Sequence, residues 1–210
     1  MGKRISPSLK DSLNNVFGIC AIAIGISLIV KMNTLAVVVL AIVLGTLIGE
    51  LLHLENRINI AVSKAAPVLL KGKKVDEAFV CTFCAVAILF CCSGTGWYGV
   101  LNEGFTGDGS ILLAKSILDF FTAIIFSTVL GSLVAYLAIP QLAIYLVLFA
   151  LSRLYVTARM LADFSAVAGI IEITTGMRIA GINKKTKIIN MLPAMILVFA
   201  ISYLWKFFFG

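Results

Sequence analysis

The feature that most restricts the fold of this 210-residue chain is a set of seven apolar runs, each 16 to 23 residues long. A helix of about 20 apolar residues crosses the hydrocarbon of a bilayer, and it bonds its own backbone groups there. The runs therefore predict an all-α polytopic transmembrane helix bundle, with residues 1–210 forming a single domain. The predicted spans are about Leu13–Val30, Thr34–Leu52, Ala78–Trp97, Ile117–Ile139, Gln141–Val156, Phe164–Ala180 and Ile188–Phe208.

The composition excludes the common soluble classes. Apolar residues make up 61% of the chain and charged residues 13%, whereas soluble domains are about half apolar and about a quarter charged. The net charge is +7, but the basic residues lie between the apolar runs, which is an orientation signal of membrane proteins. We therefore expect the lipid bilayer as the main partner and no binding of nucleic acid.

The distribution of basic residues predicts the orientation. Twelve of the 17 lysines and arginines fall on the N-terminal side of the predicted bundle, and this excess marks the cytoplasmic side. We therefore expect a cytoplasmic N-terminus. Residues 55–74 form a basic cytoplasmic segment, which is either a helix on the membrane surface, with Arg57 and Lys64 among the headgroups, or a plain loop.

Two predicted spans share a glycine pattern. Gly18 and Gly25 are seven residues apart in the first span, and Gly169 and Gly176 have the same spacing in the sixth. The charge distribution makes the first span run outward and the sixth inward. Similar segments of opposite direction are typical of the inverted-topology repeats of transporters. Glycines at this spacing also simply allow two helices to pack closely, and both interpretations remain open here.

Glu172 lies near the middle of the sixth predicted span, followed within one turn by Thr174 and Thr175. A carboxylate in hydrocarbon is costly unless it is paired, hydrated or protonated, and such residues often mark ion pathways. We therefore take these three residues as transport or ion-coupling candidates. The alternative is a protonated glutamic acid that forms hydrogen bonds inside the bundle and has no role in transport.

Lys115 and Asp119 are four residues apart at the outer end of the fourth predicted span, so they can pair on one helix face. They form either a gate at the mouth of a pathway or an interfacial ion pair near a helix start.

Near the start of the seventh span, Asn190 and Pro193 form either a hinge or ligand site, or an ordinary first helical turn that tolerates proline.

The end of the third predicted span and the segment that follows it are rich in glycine, with Gly94, Gly96 and Gly107 among their residues. It is either a broken helix whose exposed backbone groups bind a solute or an outer loop. No enzyme chemistry is expected, because no nucleophile–base pair is evident. No metal site or cofactor is expected either, since Glu50 and His53 have no second such pair to face them.

Several motifs are similar to those of one known family. They resemble the YdfK/YqgA family of bacterial integral membrane proteins, a family of unknown function, over nearly the whole chain. The resemblance implies a location in the bacterial inner membrane and supplies no substrate. The motifs are Gly45-Thr-Leu-Ile-Gly49-Glu-Leu-Leu52, the segment Phe105–Asp119 with its Thr-Gly-Asp and Lys-Ser-Ile-Leu-Asp, Ala166-Val-Ala-Gly169, and Asn190-Met-Leu-Pro-Ala194.

Two functional hypotheses follow from these patterns. The first is a transporter or channel for a small solute or ion, based on Glu172, the glycine-rich segment and the two glycine pairs. The second is a membrane scaffold or regulatory subunit that does not transport and docks a partner on its basic cytoplasmic segment. A homodimer or larger homo-oligomer is expected in either case, because seven short spans enclose little space.

Overall fold

The computed structural model describes residues 7–69, 77–183 and 185–209, and the regular structure of these residues is entirely helical. Ten α-helices and one 3-10 helix are found there. Their bounds are α1 Pro7–Ile29, α2 Leu35–Leu51, α3 Leu54–Leu69, α4 Glu77–Cys91, α5 Gly94–Thr106, α6 Ser110–Leu130, α7 Leu133–Tyr136, α8 Ala138–Tyr155, α9 Ala158–Ile179, the 3-10 helix Ile188–Met191, and α10 Leu192–Phe209.

Six segments of this structure are long and apolar enough to cross a membrane, and a seventh is bent. The seventh joins α2 to the first half of α3, with a bend of 59° at the break between them. The predicted all-α polytopic bundle is therefore confirmed for the described residues. The six segments are Ser12–Ile29, Thr82–Thr106, Ser110–Leu130, Leu133–Tyr155, Ala158–Ile179 and Ile188–Phe209.

The predicted bounds of the fourth and fifth spans were wrong. The chain turns at Gly131, whose φ of +60° is a conformation that favours glycine, and the Gly131 N–H bonds to the Ser127 carbonyl at 2.8 Å. Pro140, which lies between the predicted fourth and fifth spans, is the third residue of α8. Proline is tolerated in a first helical turn, because the N–H that it lacks would have no partner there.

The third span was also predicted too short. It continues through α5 to Thr106, so residues 100–106 are helical rather than part of an outer loop. Gly107 ends α5 with a φ of +80° and donates its N–H to the Glu103 carbonyl at 2.8 Å. This is the left-handed glycine cap that commonly ends a helix.

The four patterned glycines meet where α1 crosses α9. A Cβ on Gly18 would lie 2.7 Å from the Gly176 carbonyl oxygen, and one on Gly25 would lie 2.7 Å from that of Gly169. The contact is reciprocal, since Cβ atoms on Gly169 and Gly176 would lie 2.5 and 2.6 Å from the oxygens of Gly25 and Gly18. The two helices are therefore antiparallel and touch through their backbones. A repeat extending over the whole chain stays a prediction.

The main core is built around α9, where Phe164, Val167 and Ile171 are fully buried. A second, smaller core joins α4 to the end of α6 and to α7, with Phe83 and Val86 at its centre. Large apolar side chains on the outer faces of α2, α6, α8 and α10 are exposed. So much exposed apolar surface is unusual for a soluble protein and is expected for a lipid-facing one.

The predicted basic cytoplasmic segment begins as the helix α3 rather than as a plain loop. Arg57 and Lys64 are exposed on it. Residues 70–74, the rest of that segment, lie outside the described residues.

Candidate functional site: an interrupted helix and a buried carboxylate

The third span is broken near its middle. Cys92 and Ser93 separate α4 from α5 inside the 25-residue segment Thr82–Thr106, and Ser93 has an extended backbone. The first N–H groups of a helix have no partner within it, so the break exposes donors at membrane depth. The Trp97 indole N–H bonds to the Cys91 carbonyl at 2.8 Å and satisfies one group at the end of α4.

The side chain of Glu172, on α9, forms hydrogen bonds with residues at this break. Its carboxylate accepts a hydrogen bond from the Ser93 hydroxyl at 3.0 Å and one from the Thr95 backbone N–H at 3.1 Å. The side chain is buried, with 3% of the residue exposed. The positive end of the helix dipole and the free N–H groups make a helix N-terminus favourable for a negative charge. The start of α5 therefore compensates a buried carboxylate that lies within the apolar segment Ala158–Ile179.

Gly94 and Gly96 allow the first turn of α5 to fit between two helices. A Cβ on Gly94 would lie 2.3 Å from the Ala168 carbonyl oxygen of α9, and one on Gly96 would lie 2.0 Å from the Tyr145 hydroxyl oxygen of α8. No larger residue fits at either position without movement of its neighbours. Of the two predicted alternatives, a broken helix and an outer loop, the structure has the broken helix at Gly94 and Gly96.

A cavity of about 530 Å³ connects the break to one end of the bundle. Glu55, Asn59 and Arg178 line it near the ends of α3 and α9 that lie on the N-terminal side of the bundle, while Cys92 and Ser93 line it at the break. Most of the remaining wall is apolar. Ser93 is thus both part of the cavity wall and a hydrogen-bond donor to Glu172, so the buried carboxylate is one hydrogen bond away from the cavity.

The two threonines that were grouped with Glu172 do not bind it. The Thr174 hydroxyl donates to the Ile170 carbonyl and the Thr175 hydroxyl to the Ile171 carbonyl, both at 2.9 Å. Such bonds to the preceding helical turn are common for threonine in helices. Thr175 nevertheless lines the cavity. The residues that bind the carboxylate, Ser93 and Thr95, are distant in sequence and were not predicted as its partners.

Lys115 and Asp119 form the predicted ion pair. Because α6 begins at Ser110 and not near residue 117, the pair lies deeper than an interfacial position, and Lys115 is only 3% exposed. Two residues of α8 complete the cluster: the Gln141 side-chain amide donates to Asp119 at 3.1 Å and to the Tyr145 hydroxyl at 3.2 Å. Sequence analysis missed both, although a glutamine and a tyrosine four residues apart in an apolar run are a usable signal.

Asn190 has a structural role. Its side-chain oxygen accepts the Glu55 backbone N–H at 2.9 Å, at the start of α3. A Cβ on Gly49 would lie 2.0 Å from the Asn190 carbonyl oxygen, and one on Gly45 would lie 2.3 Å from the Ala194 nitrogen, so α2 packs tightly against the start of α10. Pro193 is the second residue of α10. The ordinary first turn, and not a hinge within the helix, is therefore observed.

Asp163 is a buried carboxylate that the sequence analysis did not select. It is fully buried and accepts the Thr34 backbone N–H and the Ser202 hydroxyl, both at 2.7 Å, so it joins α9 to the start of α2 and to α10. We placed the start of the sixth span at Phe164, which left Asp163 outside it. The helix begins at Ala158, so Asp163 lies in its second turn.

Two ion pairs lie at the end of the bundle where the cavity opens. Lys187 binds Glu50 at 2.9 Å, and this hydrogen bond raises the pKa of Lys187. Arg178 faces Glu55 across 4.0 Å at the cavity mouth. At the opposite end, the Ser110 backbone N–H lowers the pKa of Asp108. Lys187 and Asp108 are therefore charged at neutral pH.

Comparison with known proteins agrees with the structure. The family described as "Protein of unknown function (DUF554)" matches residues 1–203. "Uncharacterized protein YqgA" of Escherichia coli (strain K12) is 44% identical over all of this chain and 91% of that protein. "Uncharacterized membrane protein YdfK" of Bacillus subtilis (strain 168) is 29% identical over 93% of this chain and 84% of that protein. No solved structure matches. The chain therefore belongs to the DUF554 family of proteins of unknown function, as its motifs predicted.

Proposed function

We propose that this protein is a transporter or channel for a small solute or ion in the bacterial inner membrane, and that Glu172 is its coupling site. The observation that supports this most directly is the cavity that reaches Ser93, because Ser93 binds Glu172 at the break between α4 and α5. A solute that enters the cavity would come within one hydrogen bond of a buried, titratable carboxylate.

The break itself supports the proposal. Irregular backbone at membrane depth is tolerated where it is buried in protein or lines a water-filled cavity, and ionisable residues within spans usually mark pathways. Discontinuous helices that present a helix N-terminus near the bilayer midplane are a common form of transporter binding site. Here the interrupted α4–α5 span and the antiparallel α1–α9 contact combine two features of such proteins.

The proposed cycle uses the two ionic states of Glu172. The charged carboxylate is held by Ser93 and by the first turn of α5, and its neutralisation weakens this attachment. A weaker attachment permits α5 to move relative to α9, which would close the cavity on one side and open a path on the other. In the proposed orientation, the cavity mouth between Glu55 and Arg178 lies on the cytoplasmic side.

We also propose a homo-oligomer, because neighbouring subunits would add walls to this small bundle.

The test is flux into proteoliposomes loaded with a pH-sensitive dye under an imposed membrane potential. Na⁺, K⁺, a neutral amino acid, a hexose and a short carboxylate are each added separately. We expect at least one of them to move, with a rate that depends on pH, and Glu172→Gln to lower this rate at least roughly tenfold, since one lost charged hydrogen-bonded group is worth about 1.5–3 kcal/mol. Glu103→Gln, at the outer end of α5, is the matched control and should retain the rate.

Equal rates and equal pH dependence for the wild type and Glu172→Gln would refute the coupling role. If none of these solutes moves faster than in empty liposomes while a partner protein co-purifies in fixed stoichiometry, the scaffold hypothesis replaces the transporter.

The proposed orientation has a separate test, because Ser110 and Ser132 are exposed at opposite ends of α6. In a chain from which the native cysteines have been removed, Ser110→Cys should react with a membrane-impermeant maleimide in intact spheroplasts. Ser132→Cys should react only after permeabilisation, since the basic side faces the cytoplasm. The reverse labelling pattern would show that the N-terminus is outside.

A further inference from the structure

The wall of the cavity beside the break is mostly apolar. Its volume of about 530 Å³ lies within the range of small-molecule sites, which is about 300–1,000 Å³. Four helices and the 3-10 helix contribute aliphatic or aromatic side chains, none of which can form a hydrogen bond with a solute. They are Ile60 of α3, Ile88 and Leu89 of α4, Phe126 of α6, Ile179 of α9 and Ile188 of the 3-10 helix. Most of the cavity therefore suits an apolar group.

The hydroxyl groups of the wall have already donated their protons within the protein. The Ser63 and Thr175 hydroxyls each donate to a carbonyl of the preceding turn of their own helix at 2.9 Å, and the Ser93 hydroxyl donates to Glu172 at 3.0 Å. An apolar group can therefore pack against these side chains without leaving a buried donor unpaired, which would be costly. The end of the cavity at Ser93 thus also accepts an apolar group.

The charged groups of the cavity wall lie at its mouth, and one atom among them lacks a partner. Glu55 Oε2 is buried and makes no hydrogen bond within the described residues. The other oxygen, Oε1, is 4.0 Å from Arg178 Nη1, which is longer than the about 2.7–3.2 Å of an N–H···O hydrogen bond. Asn59, on the same face of α3 as Glu55, adds an amide that can donate and accept. The mouth therefore offers an acceptor and a cation that a solute can bridge.

We infer that the cavity binds an α-amino acid with an apolar side chain. Its ammonium group donates to Glu55 Oε2, its carboxylate accepts from the Arg178 guanidinium, and its side chain extends along the apolar wall toward Ser93. An α-amino acid carries both charges on one carbon atom, so a single zwitterion fits an acid–base pair that is too far apart to bond directly. This inference deepens the proposed function and rests on it in taking the cavity as the solute site.

The same wall disfavours the other solutes of the flux experiment. A metal cation needs several oxygen ligands around it, and the apolar wall does not supply them. A hexose would bury hydroxyl groups against aliphatic side chains, which is costly. A simple carboxylate would leave Glu55 Oε2 without a donor. The neutral amino acid is therefore the solute expected to move, provided that its side chain is apolar.

Displacement of radiolabelled leucine from the full-length protein in zwitterionic lipid nanodiscs tests the inference. Along the series glycine, alanine, 2-aminobutyrate, norvaline and norleucine, the affinity should rise roughly fourfold for each added CH₂ group, because each is buried against the apolar wall. Pentylamine is norleucine without its carboxylate, and hexanoate is norleucine without its ammonium group. Each should bind at least roughly tenfold more weakly than norleucine, since a hydrogen bond between charged groups is lost.

Substitutions at the mouth identify the two contacts. Glu55→Gln should weaken norleucine and pentylamine at least roughly tenfold and leave hexanoate nearly unchanged, whereas Arg178→Gln should weaken norleucine and hexanoate and leave pentylamine nearly unchanged. The matched controls are Glu50→Gln and Lys187→Gln. They remove the charges of the exposed ion pair at the same end of the bundle, which is not part of the described cavity wall, and should change none of the three affinities.

A filled cavity gives an independent check. Ala85 lines the cavity and is exposed to it, so Ala85→Trp should weaken all three compounds while both charges at the mouth remain. Leucine without saturable binding, affinities that do not rise along the series, or a loss in Glu55→Gln no larger than in Glu50→Gln would each overturn the inference. The series uses the wild type alone and decides the question even if a variant fails to fold.

The outcomes also separate this inference from the proposed function. Leucine binding that follows the expected pattern, without leucine flux into proteoliposomes, would keep the amino acid site and refute transport. Flux of Na⁺, K⁺ or a hexose that Glu172→Gln slows, without leucine binding, would keep the transporter and refute the amino acid site.

Discussion

Gly169→Leu is expected to have the largest effect on stability of any single substitution considered for this protein. Even a Cβ at this position would lie 2.5 Å from the Gly25 carbonyl oxygen and 2.9 Å from the Ile29 side chain. The contact is made by backbone atoms, which cannot move aside without separating α1 from α9. Overpacking usually costs about 1–3 kcal/mol, and leucine at a backbone contact should exceed about 3 kcal/mol or prevent folding.

The smaller substitution, Gly169→Ala, gives a loss of stability that can be measured. Gly169→Ala should lower the free energy of unfolding by about 1–3 kcal/mol, measured by thermal unfolding in detergent. Gly109→Ala is the control, because its nearest neighbour is the flexible Glu103 side chain at 3.4 Å. Equal melting temperatures for these two variants would show that α1 and α9 do not touch through their glycines, and the observed packing would then be wrong.

Lys115→Met should have the second largest effect. The substitution leaves Asp119 inside the bundle without its cation, and breaking a buried ion pair from one side costs about 3–5 kcal/mol. For a chain of this length that corresponds to a fall in Tm of roughly 6–20 °C. Lys187→Met removes a lysine from an exposed pair with Glu50, so its Tm should stay close to that of the wild type.

The double variant Lys115→Met/Asp119→Leu separates the two explanations of that loss. If the cost comes from the unpaired carboxylate, removing the carboxylate as well should recover most of the Tm. A double variant that is as unstable as Lys115→Met alone would mean that Lys115 stabilises the bundle through other contacts. One such contact is the Phe90 ring, whose centre lies 5.8 Å from the lysine nitrogen.

The proposed function depends on a small group of side chains around the start of α5. Glu172, Ser93 and Thr95 meet where α4 gives way to α5, and Lys115 and Asp119 lie beyond Tyr145 on the other side of α5. Ionisable groups at this depth are costly, yet each one observed is compensated by a specific donor or counter-ion. These contacts offset part of the cost of burying each group.

The sequence by itself determined the properties that depend on neighbours along the chain. The length and apolarity of the runs determined the helical membrane class, the seven-residue glycine spacing marked the faces of α1 and α9 that touch, and the four-residue spacing of Lys115 and Asp119 determined their pairing. Even so, the bounds of the third to sixth spans were wrong. The third continues to Thr106, Gly131 and not Pro140 separates the fourth from the fifth, and the sixth begins at Ala158.

Only the tertiary structure decided which distant residues meet. Ser93 and Glu172 are separated by 79 residues and Thr34 and Asp163 by 129, and no local pattern records such a contact. Ser93 and the glycines after it indicated either a broken helix or an outer loop, and only the packed structure decided between them. The break is tolerated because Glu172 of another helix binds the freed N–H group of Thr95, and that compensation exists only once the helices have packed.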